Sequence, residues 1–223
     1  PEFVLWVLGG MIMTVFASLI AWNGRLLFRA DLERAEAERT LTHQASHDAL
    51  TQLPNRRLFV QKVENALEGE KQPDQVAILF VDLDLFKIVN DSLGHVVGDE
   101  LLIAAGERIV AAAGPSALAA RLSGDEFTIL ITDLETRERA IEAAQRLLDT
   151  FDQPFELGPH KVFTTVSIGI AFNEANDVPV NLIRHADIPM YRAKARSKAC
   201  YEVIDASMDL VALNRVHLEI QLR

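Results

Sequence analysis

An α/β domain of interleaved helices and strands is the fold class this sequence predicts, and three observations carry it. Residues 75–81 form a continuous apolar run, the pattern of a strand covered on both faces. Runs at 117–122 and 127–132 flank Ser123-Gly124, the turn chemistry of a β-hairpin. Helical periodicity occupies stretches between and after these strands.

The elements follow in order. Residues 3–22 contain no charged side chain, and about 20 apolar residues span a bilayer as one helix. Trp6 and Trp22 sit near the ends of the run, where amphipathic aromatics favour the interface. Arg25, Arg29, Arg34 and Arg39 follow it, so the positive-inside rule places the remainder in the cytoplasm. A buried core helix or a signal peptide are the alternatives. The run is long for a signal sequence, and no small-residue cleavage site follows it. Residues 1–24 are therefore expected to be a transmembrane helix. Residues 25–46 alternate Arg with Glu and lack Pro and Gly, as a linker helix would. Their heptad (Leu27, Ala30, Ala37, Leu41) is broken by Arg34, which leaves a solvated helix and a dimerising coiled coil equally open.

A globular domain is expected over residues 47–204. It opens with turn chemistry at Asp48 and Leu53-Pro54-Asn55. A helix over 56–68 places Leu58, Phe59, Val63 and Leu67 on one face. The strand at 75–81 precedes a short helix at 86–93, a loop at 94–98 and a helix at 99–113. After the hairpin come a helix at 137–151 and a strand at 162–172. A helix at 180–199 is interrupted by Pro189, and a short strand follows at 201–204. Residues 205–223 read as a further linker helix. The chain starts with Pro1 instead of Met, so it is expected to be a piece of a longer protein. Cys200 is the sole cysteine, which excludes an internal disulfide and suits a reducing compartment. A net charge of −10 argues against nonspecific nucleic-acid binding.

The chemistry concentrates at two acidic strand ends. Asp125 and Glu126 stand together at the hairpin tip, and Asp82 and Asp84 close the apolar strand. Carboxylates offered from two strand ends suit magnesium and a nucleoside triphosphate. Asp82 and Asp84 are equally readable as caps of the next helix. The N–H groups opening the helix at Phe86, with Lys87 in its first turn, would suit a phosphate. Asn90 and Asp99 bracket Gly94-His95 and Gly98 and could read a guanine edge. Taken alone they read as a turn residue and a helix N-cap. His95 has no partner at ligand spacing. Lys194 and Lys198 lie one helical turn apart, as a phosphate clamp or a solvated basic face. No P-loop and no Gly-x-Ser-x-Gly is present.

From Asp48 to Tyr201 the chain resembles the GGDEF family of diguanylate cyclases. The matching stretches are Asp48-Ala-Leu-Thr-Gln-Leu-Pro-Asn-Arg-Arg57, Val81-Asp-Leu-Asp-Leu-Phe-Lys-Ile-Val-Asn-Asp91, Gly94-His-Val-Val-Gly-Asp99, Arg121-Leu-Ser-Gly-Asp-Glu-Phe127, Val166-Ser-Ile-Gly-Ile170 and Ala186-Asp-Ile-Pro-Met-Tyr-Arg-Ala-Lys194. The resemblance implies a palm-like α/β fold, related to nucleotide cyclases. It implies condensation of two GTP into cyclic di-GMP and pyrophosphate. By position, Asp82, the Leu83 carbonyl and Asp125 would hold magnesium or manganese, with Glu126 assisting. Asp125 would also help activate the ribose 3′-hydroxyl. Asn90 and Asp99 would read guanine above Leu53 and Leu102. Lys87, Lys194 and Lys198 would contact phosphates, and Phe86 counts with the substrate-binding positions. Each subunit would bring one GTP, so a homodimer is implied. The implied location is a bacterial inner membrane with the GGDEF domain in the cytoplasm.

Three departures from the family pattern stand out. Ser123 replaces a glycine, at a cost of roughly 1 kcal/mol if that position needs positive φ. Gly114-Pro-Ser-Ala117 occupies the place of the Arg-x-x-Asp product-inhibition site, so feedback through it is not expected. Pro189 stands where alanine is usual and would kink the helix carrying Lys194. The tail from Met208, with Arg215, Leu218, Glu219, Leu222 and Arg223, looks like the helix leading to an EAL phosphodiesterase domain. The alternative function is then a weak GTP-binding regulatory domain that controls such a partner.

Overall fold

Strand β1 (Ala77–Leu83) is the centre of the domain, and both of its faces are covered. In a computed structural model of the chain, the described residues are 43–69 and 72–204, with Met11, Met13, Phe16 and Trp22. Those four are helical, and among the described residues no helix is long and apolar enough to cross a membrane. The other expected elements of residues 1–24, 25–46 and 205–223 lie outside the described residues, apart from residues 43–46. The chain divides into two units, residues 1–45 and 46–223, and the fold below is that of the second.

Helix α1 (Arg56–Gly69) starts where Asn55 Oδ1 accepts the Leu58 N–H at 3.1 Å, an N-cap that offsets one orphan amide. After β1 come α2 (Phe86–Leu93) and α3 (His95–Ala113). The hairpin is β2 (Ala117–Ser123) and β3 (Glu126–Ile131). Helix α4 (Arg137–Phe151) leads to a small hairpin of β4 (Phe155–Leu157) and β5 (His160–Val162). Strand β6 (Val166–Phe172), helix α5 (Pro179–Arg196) and β7 (Tyr201–Val203) complete the domain. The main sheet runs β2-β3-β1-β6-β7, antiparallel except for the β6–β7 pair. This is the α/β palm-like arrangement expected.

Strand periodicity explains the unbroken apolar run. Ala77, Leu79, Val81 and Leu83 pack on one core with α3 and α4, whereas Ile78 and Phe80 pack on a second core with α1 and α5. Asp82 continues the second series. Alternation therefore turns its side chain toward α5.

Several boundaries differ from the sequence reading. Helix α3 begins at His95, with Gly94 at its N-cap, so residues 95–98 are helix and Asp99 is not a cap. The expected strand over 162–172 is two strands, because residues 163–165 leave the ladder. Helix α5 ends at Arg196, two residues before Lys198. It runs through Pro189, which is buried against the sheet. A side chain at Gly169 would collide with the Ala186 carbonyl and the Met190 amide, so a glycine there lets the helix backbone press on β6.

Candidate active site

The register of β1 and β3 sets Asp82 opposite Glu126, so these carboxylates share one face. The Leu83 N–H bonds the Asp125 carbonyl at 3.3 Å, which holds the hairpin tip against the end of β1. Two strand ends thus bring together Asp82, Leu83, Asp125 and Glu126.

Positive φ falls on Gly124, at 48°, and not on Ser123. The glycine-for-serine cost expected at Ser123 is therefore absent. Ser123 Oγ instead donates to Glu126 Oε2 at 2.7 Å. The β2–β3 register shifts between Arg121 and Ser123, just before the tip. Arg121 holds this hairpin at its root. Its guanidinium donates to the Gly124 carbonyl at 2.7 and 3.0 Å and pairs with Asp48 Oδ1 at 2.8 Å. Asp48 also accepts the Thr51 amide and hydroxyl at 2.9 and 2.8 Å. Burial alone would raise the Asp48 carboxyl, but the Thr51 and Arg121 bonds outweigh it and hold the pKa below the ordinary value.

Asp82 is 5% exposed and accepts a hydrogen bond from Lys194 Nζ at 2.6 Å. Burial pushes the Asp82 carboxyl up to about 6, and the charges of Asp125 and Asp84 push the same way against Lys194. Burial would lower the Lys194 ammonium, yet the bond to Asp82 and the surrounding acids raise it. With Pro189 inside helix α5, Lys194 still reaches Asp82. Lys198, in contrast, is not stacked on Lys194. Its N–H bonds the Ala193 carbonyl at 3.0 Å in a left-handed turn (φ 55°) that closes the helix.

Asp84 differs in kind from its neighbour. It accepts Thr165 Oγ1 at 2.6 Å, Ser167 Oγ at 2.8 Å and the Ala199 N–H at 3.2 Å. It does not cap α2, whose N-cap is Leu85 without a side-chain bond. The support of Asp84 by Thr165, Ser167 and Ala199 was missed in the sequence: Ser167 stands in a quoted motif, but nothing local pairs these residues with Asp84. Asp48 and Arg121 stood in quoted motifs, but their pairing across 73 residues had no local signal.

Gly98 packs so closely on α2 that a side chain there would collide with the Asn90 carboxamide and meet Phe86. Phe86, Asn90 and Gly98 are thus neighbours, with Asp99 next along the helix and exposed. Leu102 is 3% exposed in the main core, and Leu53 lies against α3 at Gly106, one turn further on. Lys87 is exposed in the first turn of α2. The Gly114–Ala117 stretch is a tight turn, with the Ala117 N–H on the Gly114 carbonyl at 3.3 Å.

Among the described residues no group of three or more His, Cys, Asp and Glu side chains is placed to hold a metal. The available set is Asp82, Asp125 and the Leu83 carbonyl, with Glu126 beside them. It fits a hard divalent cation that takes few protein oxygens and completes its shell with water and phosphate. Lys194 now occupies Asp82, so a bound cation would take the place of the ammonium on this carboxylate.

Residues 45–200 match the family described as diguanylate cyclase, GGDEF domain. The chain is 36% identical over 183 residues to the diguanylate cyclase TpbB of Pseudomonas aeruginosa, covering 81% of this chain and 40% of TpbB. It is 40% identical over 193 residues to MucR of the same organism, a bifunctional diguanylate cyclase/cyclic di-GMP phosphodiesterase, covering 85% of this chain and 28% of MucR. The solved GGDEF domain of TpbB superposes with a TM-score of 0.70 at 33% identity, over 75% of this chain and 99% of that one. An EAL/GGDEF domain protein from M. capsulatus superposes at 0.58 with 42% identity, over 68% and 99%. This chain therefore spans well under half the length of those two curated relatives, and it belongs to the diguanylate cyclase GGDEF domain family.

Proposed function

We propose that this domain condenses two GTP into cyclic di-GMP with release of pyrophosphate. The observation that carries this reading is the pairing of buried Asp82 with Glu126 and the hairpin tip, with Lys194 at 2.6 Å. Asp82, the Leu83 carbonyl and Asp125 would hold a divalent cation, magnesium or manganese, with Glu126 beside them. The bound ion would neutralise phosphate charge and lower the pKa of the attacking ribose 3′-hydroxyl. Lys194, already in the site, would move its charge from Asp82 to a phosphate of the substrate. Lys87 and the amides opening α2 at Phe86 supply further positive potential for the triphosphate. Lys198 would reach a phosphate from its left-handed turn and not as a helical partner of Lys194. Asn90, held against Gly98, and the adjacent Asp99 present an amide and a carboxylate to a guanine edge, with Leu53 and Leu102 beneath. Asp125 would help activate the ribose 3′-hydroxyl.

Each subunit holds one GTP, so turnover needs two copies face to face. Residues 1–24 are proposed as the anchor in a bacterial inner membrane, with this domain on the cytoplasmic side. The lack of charge over residues 3–22 supports it. A second reading is a GTP-binding regulatory domain that controls a following EAL domain. The similarity to bifunctional MucR, a far longer protein, favours it.

The full chain in detergent, incubated with GTP and magnesium, distinguishes the two. Cyclic di-GMP that vanishes in Asp125→Asn establishes synthesis. Tight GTP binding without product moves the assignment to the regulatory reading.

A further inference from the structure

Ser123 is where this chain departs from the first glycine of the family motif, and the departure adds a hydrogen-bond donor to the rim of the site. Ser123 and Glu126 are register partners at the closed end of the β2–β3 hairpin, on either side of Gly124-Asp125. Such partners hold their Cβ atoms about 5 Å apart, within reach of a bond between the two side chains. The bond is made: Ser123 Oγ donates to Glu126 Oε2 at 2.7 Å. Positive φ falls on Gly124, so the backbone at 123 carries a side chain without strain.

The other groups around Glu126 are acids. Asp82 stands opposite it on β1, and Asp125 precedes it in the chain. Asp187, on α5, is within its electrostatic reach. Partial burial and then the charge of Glu126 push the Asp187 carboxyl above its ordinary value, against Arg56. Like charges so placed repel, and they favour rotamers that turn a half-buried glutamate out to water. A neutral hydroxyl on Oε2 opposes that turn without cancelling the charge. It leaves Oε1 of the same carboxylate for a ligand.

We propose that Ser123 is a positioning residue for the cation site, its hydroxyl holding the Glu126 carboxylate in the orientation from which it assists a divalent cation beside Asp82 and Asp125. This rests on the cation and GTP reading given above. Carboxylates that serve a metal are themselves hydrogen-bonded, and loss of such a bond weakens the metal about 10–100-fold. In this chain the donor comes from the residue that sets it apart from the family motif. A glycine there would leave Glu126 to be oriented by the cation itself. The hydroxyl therefore acts on cation affinity, and the rate with the site filled changes little.

The test uses the full chain in detergent as wild type, Ser123→Ala, Ser123→Gly and Ser123→Thr. Magnesium is titrated against binding of a fluorescent 3′-deoxy-GTP, which cannot react, read by anisotropy. It is titrated in parallel against cyclic di-GMP formation. Ser123→Ala removes the hydroxyl and keeps the backbone, Ser123→Gly restores the family residue, and Ser123→Thr keeps the hydroxyl. Ser123→Ala and Ser123→Gly are each expected to raise the half-saturating magnesium about tenfold in both titrations. Their kcat at saturating magnesium and their melting temperatures should stay near wild type, and Ser123→Thr should need no more magnesium than wild type. A wild-type magnesium requirement in Ser123→Ala overturns the proposal. So does a shift confined to Ser123→Gly, which belongs to the backbone, a shift shared by Ser123→Thr, or a fall in kcat that saturating magnesium does not repair. If wild type binds the nucleotide without magnesium, the cation reading fails and this inference fails with it. If wild type binds with magnesium and makes no product, the cyclase reading alone fails, and the binding titration still decides the role of Ser123.

Discussion

Asp82 and Asp84 stand two residues apart at the end of β1, both buried, in opposite surroundings. Asp84 accepts bonds from two hydroxyls and an amide, all neutral and all from the β5–β6 link, β6 and the turn after α5. Asp82 has the Lys194 ammonium as its partner and carries a pKa of about 6. A carboxylate satisfied by fixed donors is committed to holding the fold. One whose burial is incompletely offset is available to a ligand that brings positive charge. The contrast separates a structural acid from a reactive one where the sequence shows only Asp-Leu-Asp.

Substitution at each position breaks the comparison in a different observable. Asp82→Asn is expected to lower cyclic di-GMP formation by 1,000-fold or more, on the order of 4 kcal/mol of transition-state stabilisation. Its melting temperature should stay near wild type, because a neutral amide relieves a buried charge. Asp84→Ala should do the reverse. It strands three donors, costs about 3 kcal/mol, and lowers the melting temperature by roughly 6–12 °C by calorimetry. A variant at Asp84 that keeps its stability would remove the structural role assigned here.

Acidity sharpens the same contrast. The Asp82 pKa is raised on folding, so its neutral form favours the fold. That contribution is complete below the ordinary carboxylate value near 3.8 and is lost as pH rises through about 6. Cation binding has the opposite sign, since it needs the carboxylate. The magnesium concentration for half-maximal turnover should therefore climb about tenfold per unit below pH 6. Titration of magnesium dependence between pH 5 and 8 checks this, and a flat profile would refute it.

The smallest effect is expected at Thr128, on the same face of the sheet. Its hydroxyl is fully buried and has no hydrogen-bond partner in this structure. Thr128→Val should stabilise by up to about 1 kcal/mol, read from denaturant midpoints, because it removes an unsatisfied group.

Much of this was legible in the chain. The run at 75–81 named the central strand, because burial on both faces leaves no polar alternation to hide it. Helix α2 and helix α4 were read to the residue, since their periods are regular. The loop expected before Asp99 was wrong: glycine at 98 reads as a breaker, yet it is there so that Asn90 can pack against α3. The strand expected over 162–172 was wrong for a related reason. Thr164 and Thr165 have strand propensity, but their hydroxyls serve Asp84 instead of continuing the ladder.

By itself the sequence determined which residues are acidic, where they sit relative to strand ends, and which family they belong to. Those are properties of composition, spacing and periodicity, and they are local. The tertiary structure alone decided that Lys194 meets Asp82 across 112 residues, that Lys198 turns away from that helix face, and that Arg121 ties the hairpin to Asp48. The physical reason is that such partners are set by sheet register and helix placement. Those depend on how two cores close on β1, and no window of the sequence contains both sides of that contact.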